Sequence, residues 1–141
     1  MKIEENPPRV SVCVLTYNHE KYIRQCLETI VNQETDFHFE VIVSDDFSTD
    51  ETREIVREFS EKYPNTIKPI LRDENIGPYK NFVATHNEAN GEFVAHCDGD
   101  DLFLPEKLQK QVDFFKKHPD CAVVWHKVNI FDDAGNFFSG A

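Results

Sequence analysis

The chain has 141 residues, 40% of them hydrophobic and 29% charged, which suits one folded domain with a real core and is too short for two of ordinary size. Acidic residues outnumber basic ones by 26 to 15, and the resulting formal charge of −11 argues against nucleic acid or an anionic membrane surface as a general partner. No apolar run approaches a membrane span, and Met1 to Pro8 hold no apolar segment fit for a secretory signal. The four cysteines (Cys13, Cys26, Cys97, Cys121) are scattered, without a C-x-x-C pair, so the expectation is a cytoplasmic protein with reduced thiols.

Residues 1–8 read as a leader and residues 9–141 as one domain. Val10 to Leu15 is short, β-branched and almost wholly apolar, the pattern of a buried parallel strand. A helix follows, with Tyr22, Ile23, Cys26, Leu27, Ile30 and Val31 on one face. Phe39 to Val43 is a second strand. Ser48-Thr-Asp-Glu51 has the spacing of a capping box, and Ile55, Val56 and Phe59 give the helix behind it an inner stripe up to Tyr63-Pro64. Ile67 to Leu71 is a third strand that Pro69 assigns to a sheet edge. Asn81 to Glu88 predicts a short helix stopped at Asn90-Gly91, and Glu92 to Cys97 a fourth strand. Pro105 suits the first turn of a helix that points Leu108, Val112 and Phe115 inward and ends at His118-Pro119. Cys121 to Trp125, running on toward Ile130, predicts a fifth strand. Asp132 to Gly135 predicts a hairpin turn into Asn136-Phe-Phe138.

This alternation specifies an α/β fold: a mostly parallel sheet with helices on both faces, which binds ligands beyond the carboxyl ends of its strands. The polar residues fall at those ends. Strand one ends in Thr16-Tyr17-Asn18, strand two in Asp45-Asp46, and strand four in Asp98-Gly-Asp100-Asp101. Singly, such aspartates cap helices or make turns. Together they converge on one rim, where like charges repel unless a cation joins them or their pKa values rise. An all-oxygen set favours Mg²⁺ or Mn²⁺. A diphosphate could approach such a rim through the cation. Neither G-x-x-x-x-G-K-[ST] nor G-x-G-x-x-G is present to cradle phosphates otherwise. Tyr17 offers a ring for stacking on a base. Lys80, after Asn75-Ile-Gly77, is placed to meet a base or a phosphate.

Four segments carry a resemblance: Ser11-Val-Cys-Val-Leu-Thr-Tyr-Asn18, Val43-Ser-Asp-Asp-Phe-Ser-Thr-Asp-Glu-Thr52, Asn75-Ile-Gly77 with Asn81, and Gly91-Glu-Phe-Val-Ala-His-Cys-Asp-Gly-Asp-Asp101. In this order and spacing, over residues 9–130, the chain resembles the N-terminal half of family 2 glycosyltransferases with the Rossmann-like GT-A fold. The resemblance implies inverting, metal-dependent transfer of a sugar from a nucleotide-diphosphate sugar, with UDP as the expected nucleotide, to a hydroxyl of a saccharide or glycoconjugate. Bacterial polysaccharide synthesis is the setting it implies.

By the same resemblance Thr16, Tyr17 and Asn18 belong to the nucleotide pocket. Asp45 would hydrogen-bond the base, Asp46 would support its loop, and Lys80 would lie near the nucleotide. Asp98 would meet ribose or sugar and, with Asp100, hold Mn²⁺ or Mg²⁺ in a D-x-D motif. Phe47 and Ser44 depart from the pattern, standing where glycine and Val or Ile are usual. The acceptor half and its general base are expected outside these residues, leaving a donor half without transfer activity of its own and a sheet edge open to self-association. Asp132, Asp133 and His126 are weak substitutes for that base. Two other chemistries share an acidic rim: a Mg²⁺-dependent phospho-acceptor domain using Lys127, and a phosphatase with Asp98 as nucleophile.

Overall fold

The computed structural model describes residues 7–138. Strand β1 (Val10–Thr16) is central and buried on both faces, as its unbroken apolar run requires. It pairs in parallel with β2 (Phe39–Asp45) on one side and β4 (Phe93–Asp98) on the other, and β3 (Ile67–Leu71) adds in parallel to β2. The order β3-β2-β1-β4 makes β3 an edge strand, so Pro69 sits where a missing N–H is tolerated.

Alternate residues serve opposite faces. Val12, Val14, Val41 and Val43 face α1 (Ile23–Val31), α2 (Thr52–Lys62) and α4 (Lys107–Lys117), forming one core with Leu27, Ile30, Val56, Leu108 and Val112. Each such Leu or Ile, fully buried, contributes roughly 1.5–3 kcal/mol. Phe115 is half-buried and stacks on Phe93, ring centroids 4.7 Å apart. The opposite face carries Ser11, Cys13, Glu40 and Ser44 and is covered by α3 (Pro78–His86); Cys13 Sγ lies 3.9 Å from the Thr85 carbonyl.

Three expectations change. Helix α3 starts earlier than predicted, because Gly77 (φ +86°) turns the chain and Pro78 takes the first helical position. The Ser48–Glu51 capping box does not form. Asp50 Oδ1 instead accepts the Thr52 N–H at 2.9 Å, and Glu20 Oε2 accepts that of Glu51 at 3.0 Å. The Ser48 hydroxyl donates to the buried Asp45 carboxylate and its oxygen accepts the Asn18 N–H at 2.9 Å, so both its roles are used away from the helix end. The predicted fifth strand, Cys121 to Trp125, is irregular and Trp125 is 88% exposed. Its apolar composition signals a demand for burial, but no ladder bond joins it to β4. The hairpin forms as predicted, slightly shortened: β5 (Ile130–Phe131) pairs antiparallel with β6 (Phe137–Phe138), and Gly135 turns at φ +82°. All four cysteines are free; Cys13, Cys26 and Cys97 are buried and Cys121 is half-buried.

Candidate functional site

The parallel register builds the site. Thr16 is paired with Asp45 across β1–β2, and Leu15 with Asp98 across β1–β4, so three strands end on one level. Strand order reverses direction at β1, the place where open α/β sheets form ligand crevices. A cavity of about 370 Å³ opens there, lined by Thr16, Tyr17, His19, Asp46, Asn75 and Asp98 among others. That is the size of a small-ligand site. Tyr17, 45% exposed, offers its ring to this space.

The two adjacent aspartates divide differently from expectation. Asp45 is fully buried. Its Oδ1 accepts from Ser48 Oγ, and its Oδ2 accepts from the Ser48 N–H at 3.0 Å and from Arg53 Nη1 at 3.1 Å. Arg53 also donates to the Arg72 carbonyl at 2.7 Å. Asp45 thus serves the loop's own architecture, with no free edge for a base. Asp46 lines the cavity, and its two oxygens accept the N–H groups of Ile76 (2.9 Å) and Gly77 (3.0 Å). Asn75 Nδ2 returns a bond to the Asp46 carbonyl at 3.0 Å. Phe47, between them and Ser48, has φ +66°, which explains why glycine suits this position. Its exposed ring lies 5.8 Å from the Arg53 guanidinium.

Asn18 braces loops rather than lining the cavity. Its N–H donates to Ser48 Oγ at 2.9 Å and its Oδ1 accepts the Thr49 N–H at 2.8 Å. Lys80 is exposed on α3 and is not brought into the cavity. Lys127 lies in the exposed segment after α4, so the phospho-acceptor arrangement is not assembled. Asp132 is consumed by its turn, accepting the N–H groups of Ala134 and Asn136. Asp133 accepts from Tyr22 Oη at 3.0 Å, and His126 is exposed with Nδ1 2.9 Å from the Lys127 carbonyl.

The acidic segment after β4 is flanked by two imidazoles that sequence reasoning passed over. His96 Nε2 lies 3.2 Å from Asp98 Oδ1; this bond, outweighing burial, holds the Asp98 carboxyl below its ordinary pKa. His96 was legible in the alternation of β4, which puts residues 96 and 98 on one face. His19 Nε2 lies 3.9 Å from Asp100 Oδ2. Gly99 packs so closely that a Cβ there would fall 2.7 Å from Thr16 Oγ1 and 2.8 Å from His19 Nδ1. Burial, then the charges of Asp100 and Asp98, pushes the Asp101 carboxyl above its ordinary pKa. Among the described residues no cluster of three or more His, Cys, Asp or Glu is arranged to hold a metal alone.

The crevice lies at the strand ends with Asp46 and Asp98 in its lining, and its family is given by likeness to known proteins. The model of glycosyl transferase family 2 matches residues 11–139. The chain belongs to this family. An uncharacterised Mycobacterium tuberculosis relative, Rv1520, is 42% identical over 127 residues, which are 89% of this chain and 37% of that protein. Residues 1–349 of S. aureus TarS, solved in complex with UDP, match at 40% identity and TM-score 0.68 over 79% of this chain and 33% of theirs. The mannosyltransferase PcManGT from Pyrobaculum calidifontis, solved with GDP-Man and Mn²⁺, matches at 31% identity and TM-score 0.68 over 78% of this chain and 33% of that one. The chain spans 33–37% of the length of these relatives. No helix among its described residues is long and apolar enough to cross a membrane.

Proposed function

We propose that this chain forms the donor site of an inverting, metal-dependent glycosyltransferase that uses a nucleotide-diphosphate sugar, with UDP as its nucleotide. The observation that carries this reading is the cavity at the ends of β1, β2 and β4, whose lining brings together the Tyr17 ring and the Asp46 and Asp98 carboxylates. Tyr17 stacks on the base, and Asp46, rather than Asp45, faces the base edge. Thr16 stands below them at the end of β1. Asp98 contacts the ribose or the sugar and shares the cation with Asp100. The donor set of Asp98 and Asp100 fits a hard divalent ion, since both offer carboxylate oxygens. When bound, Mn²⁺ or Mg²⁺ supplies charge neutralisation to the departing diphosphate.

The acceptor is a hydroxyl of a saccharide or glycoconjugate, and we assign its general base to none of the described residues. Asp132, Asp133 and His126 are engaged elsewhere. The chain alone then binds donor without measurable transfer, since a positioned base and acceptor contribute large factors to rate.

A thermal-shift panel of UDP, GDP and dTDP, each with and without Mn²⁺, tests the reading, with Mg²⁺ plus beryllofluoride as a control. UDP with Mn²⁺ is expected to stabilise most. Stabilisation by beryllofluoride alone would instead mean a phospho-acceptor aspartate.

A further inference from the structure

We propose, on the donor-site reading above, that His19 is a positioning residue that sets Asp100 for the cation. Its ring is wedged between two strand ends. Nδ1 lies 3.1 Å from Thr16 Oγ1 and Nε2 lies 3.9 Å from Asp100 Oδ2. Its backbone is fixed as well, because the His19 N–H donates to Thr52 Oγ1 at 2.9 Å. The ring sits over Gly99, the residue between Asp98 and Asp100, where a Cβ would come within 2.8 Å of Nδ1.

These contacts have a chemical direction. With the Thr16 hydroxyl donating to Nδ1, the ring carries a proton on Nε2, on the side of Asp100, at a separation that allows electrostatic attraction and is longer than a direct hydrogen bond. Asp100 is exposed and, among the described residues, His19 is the one basic side chain within 4 Å of its carboxylate. An imidazole beside one carboxylate oxygen restricts the side chain and leaves the other oxygen without a protein partner among the described residues. Partners of this kind commonly govern metal affinity by fixing a ligating side chain, and their loss costs about 10- to 100-fold. Thr16, His19 and Gly99 thus form a relay from β1 to the D-x-D segment, and the glycine is needed there for the ring as much as for any ligand.

The test is calorimetric titration of UDP into the wild-type chain and into His19→Phe, with Mn²⁺ and with EDTA. Phenylalanine keeps a ring over Gly99 and removes both nitrogens. The wild type is expected to bind UDP more tightly with Mn²⁺. In His19→Phe that gain, read as the ratio of UDP affinities with Mn²⁺ and with EDTA for each protein, should shrink about tenfold. Thr16→Val, which removes the partner of Nδ1, should lose part of the same gain. If His19→Phe does not fold, His19→Asn carries the test: its shorter amide stays near Thr16 and falls short of Asp100, so the same loss is expected. An undiminished Mn²⁺ gain in a folded His19 variant would overturn the positioning role alone. A wild type whose UDP affinity ignores Mn²⁺ would overturn the donor-site reading and this role with it.

Discussion

Ser44 Oγ donates to Asn81 Oδ1 at 2.6 Å, with both side chains buried, and so ties β2 to α3 behind the cavity. Arg72 Nε donates to the same oxygen at 2.7 Å. Ser44, an unusual residue beside the acid pair, is therefore part of a polar network and not a gap in an apolar strand. Asn81→Leu leaves the Ser44 hydroxyl and Arg72 without their acceptor, and should cost about 1–3 kcal/mol in urea denaturation. Ser44→Val should cost about 1 kcal/mol. The double variant should fall short of the sum by about 0.5 kcal/mol or more, because the two share one bond. Strict additivity would mean that the contact contributes nothing.

Asp45 and Asp46 should separate fold from ligand. Asp45→Ala removes the buried partner of Arg53 and of the Ser48 loop, and a broken buried pair typically costs about 3–5 kcal/mol. Asp46→Ala should instead blunt discrimination between UDP and GDP at a smaller cost in stability. Chemical denaturation and a nucleotide competition assay on both variants check this. Equal loss of stability in both, with unchanged discrimination, would remove Asp46 from the base pocket.

At the opposite end of the sheet, Glu40 is buried and accepts from Ser11 Oγ at 2.6 Å, from the Asn90 N–H at 3.0 Å, and from Lys68. Burial alone would raise its pKa, but the bonds from Lys68, Ser11 and Asn90 outweigh it, and the folded-state pKa is lowered. A depressed carboxylate contributes stability that is fully present above its unfolded pKa, about 4.3, and is lost as pH falls through the lower folded value. Glu40→Gln should therefore be less stable than wild type at pH 7, with the gap closing below about pH 4.3. Denaturation midpoints measured from pH 7 to 3 check the sign. A gap that stays constant with pH would show that the charge of Glu40 carries no part of the effect.

Much of this was legible in the residues. Hydrophobic periodicity gave four strands and four helices, Pro69 gave the edge, and the strand ends gave the acidic rim. What the pattern could not carry was competition between partners. Ser48 reads as a helix cap until the buried carboxylate of Asp45 is known to need it. Asp45 and Asp46 are interchangeable in a sequence; only the turn at Phe47, φ +66°, and the reach of Arg53 decide which faces inward. Cys121 to Trp125 shows the same limit for burial, since an apolar run does not name the surface that will cover it. The role of His19 depends on a three-way approach with Thr16 and Gly99 that spacing alone does not reveal.

Calorimetry of UDP against the wild-type chain and Asp100→Ala, each with Mn²⁺ and then with EDTA, tests the donor site most directly. Asp100 is exposed on the rim, so its loss should leave the fold intact. The wild type should bind UDP weakly in EDTA and more tightly with Mn²⁺, while Asp100→Ala should bind with the EDTA affinity under both conditions. UDP binding indifferent to EDTA and to Asp100→Ala, or no UDP binding at all, would contradict a metal-bridged nucleotide-sugar site.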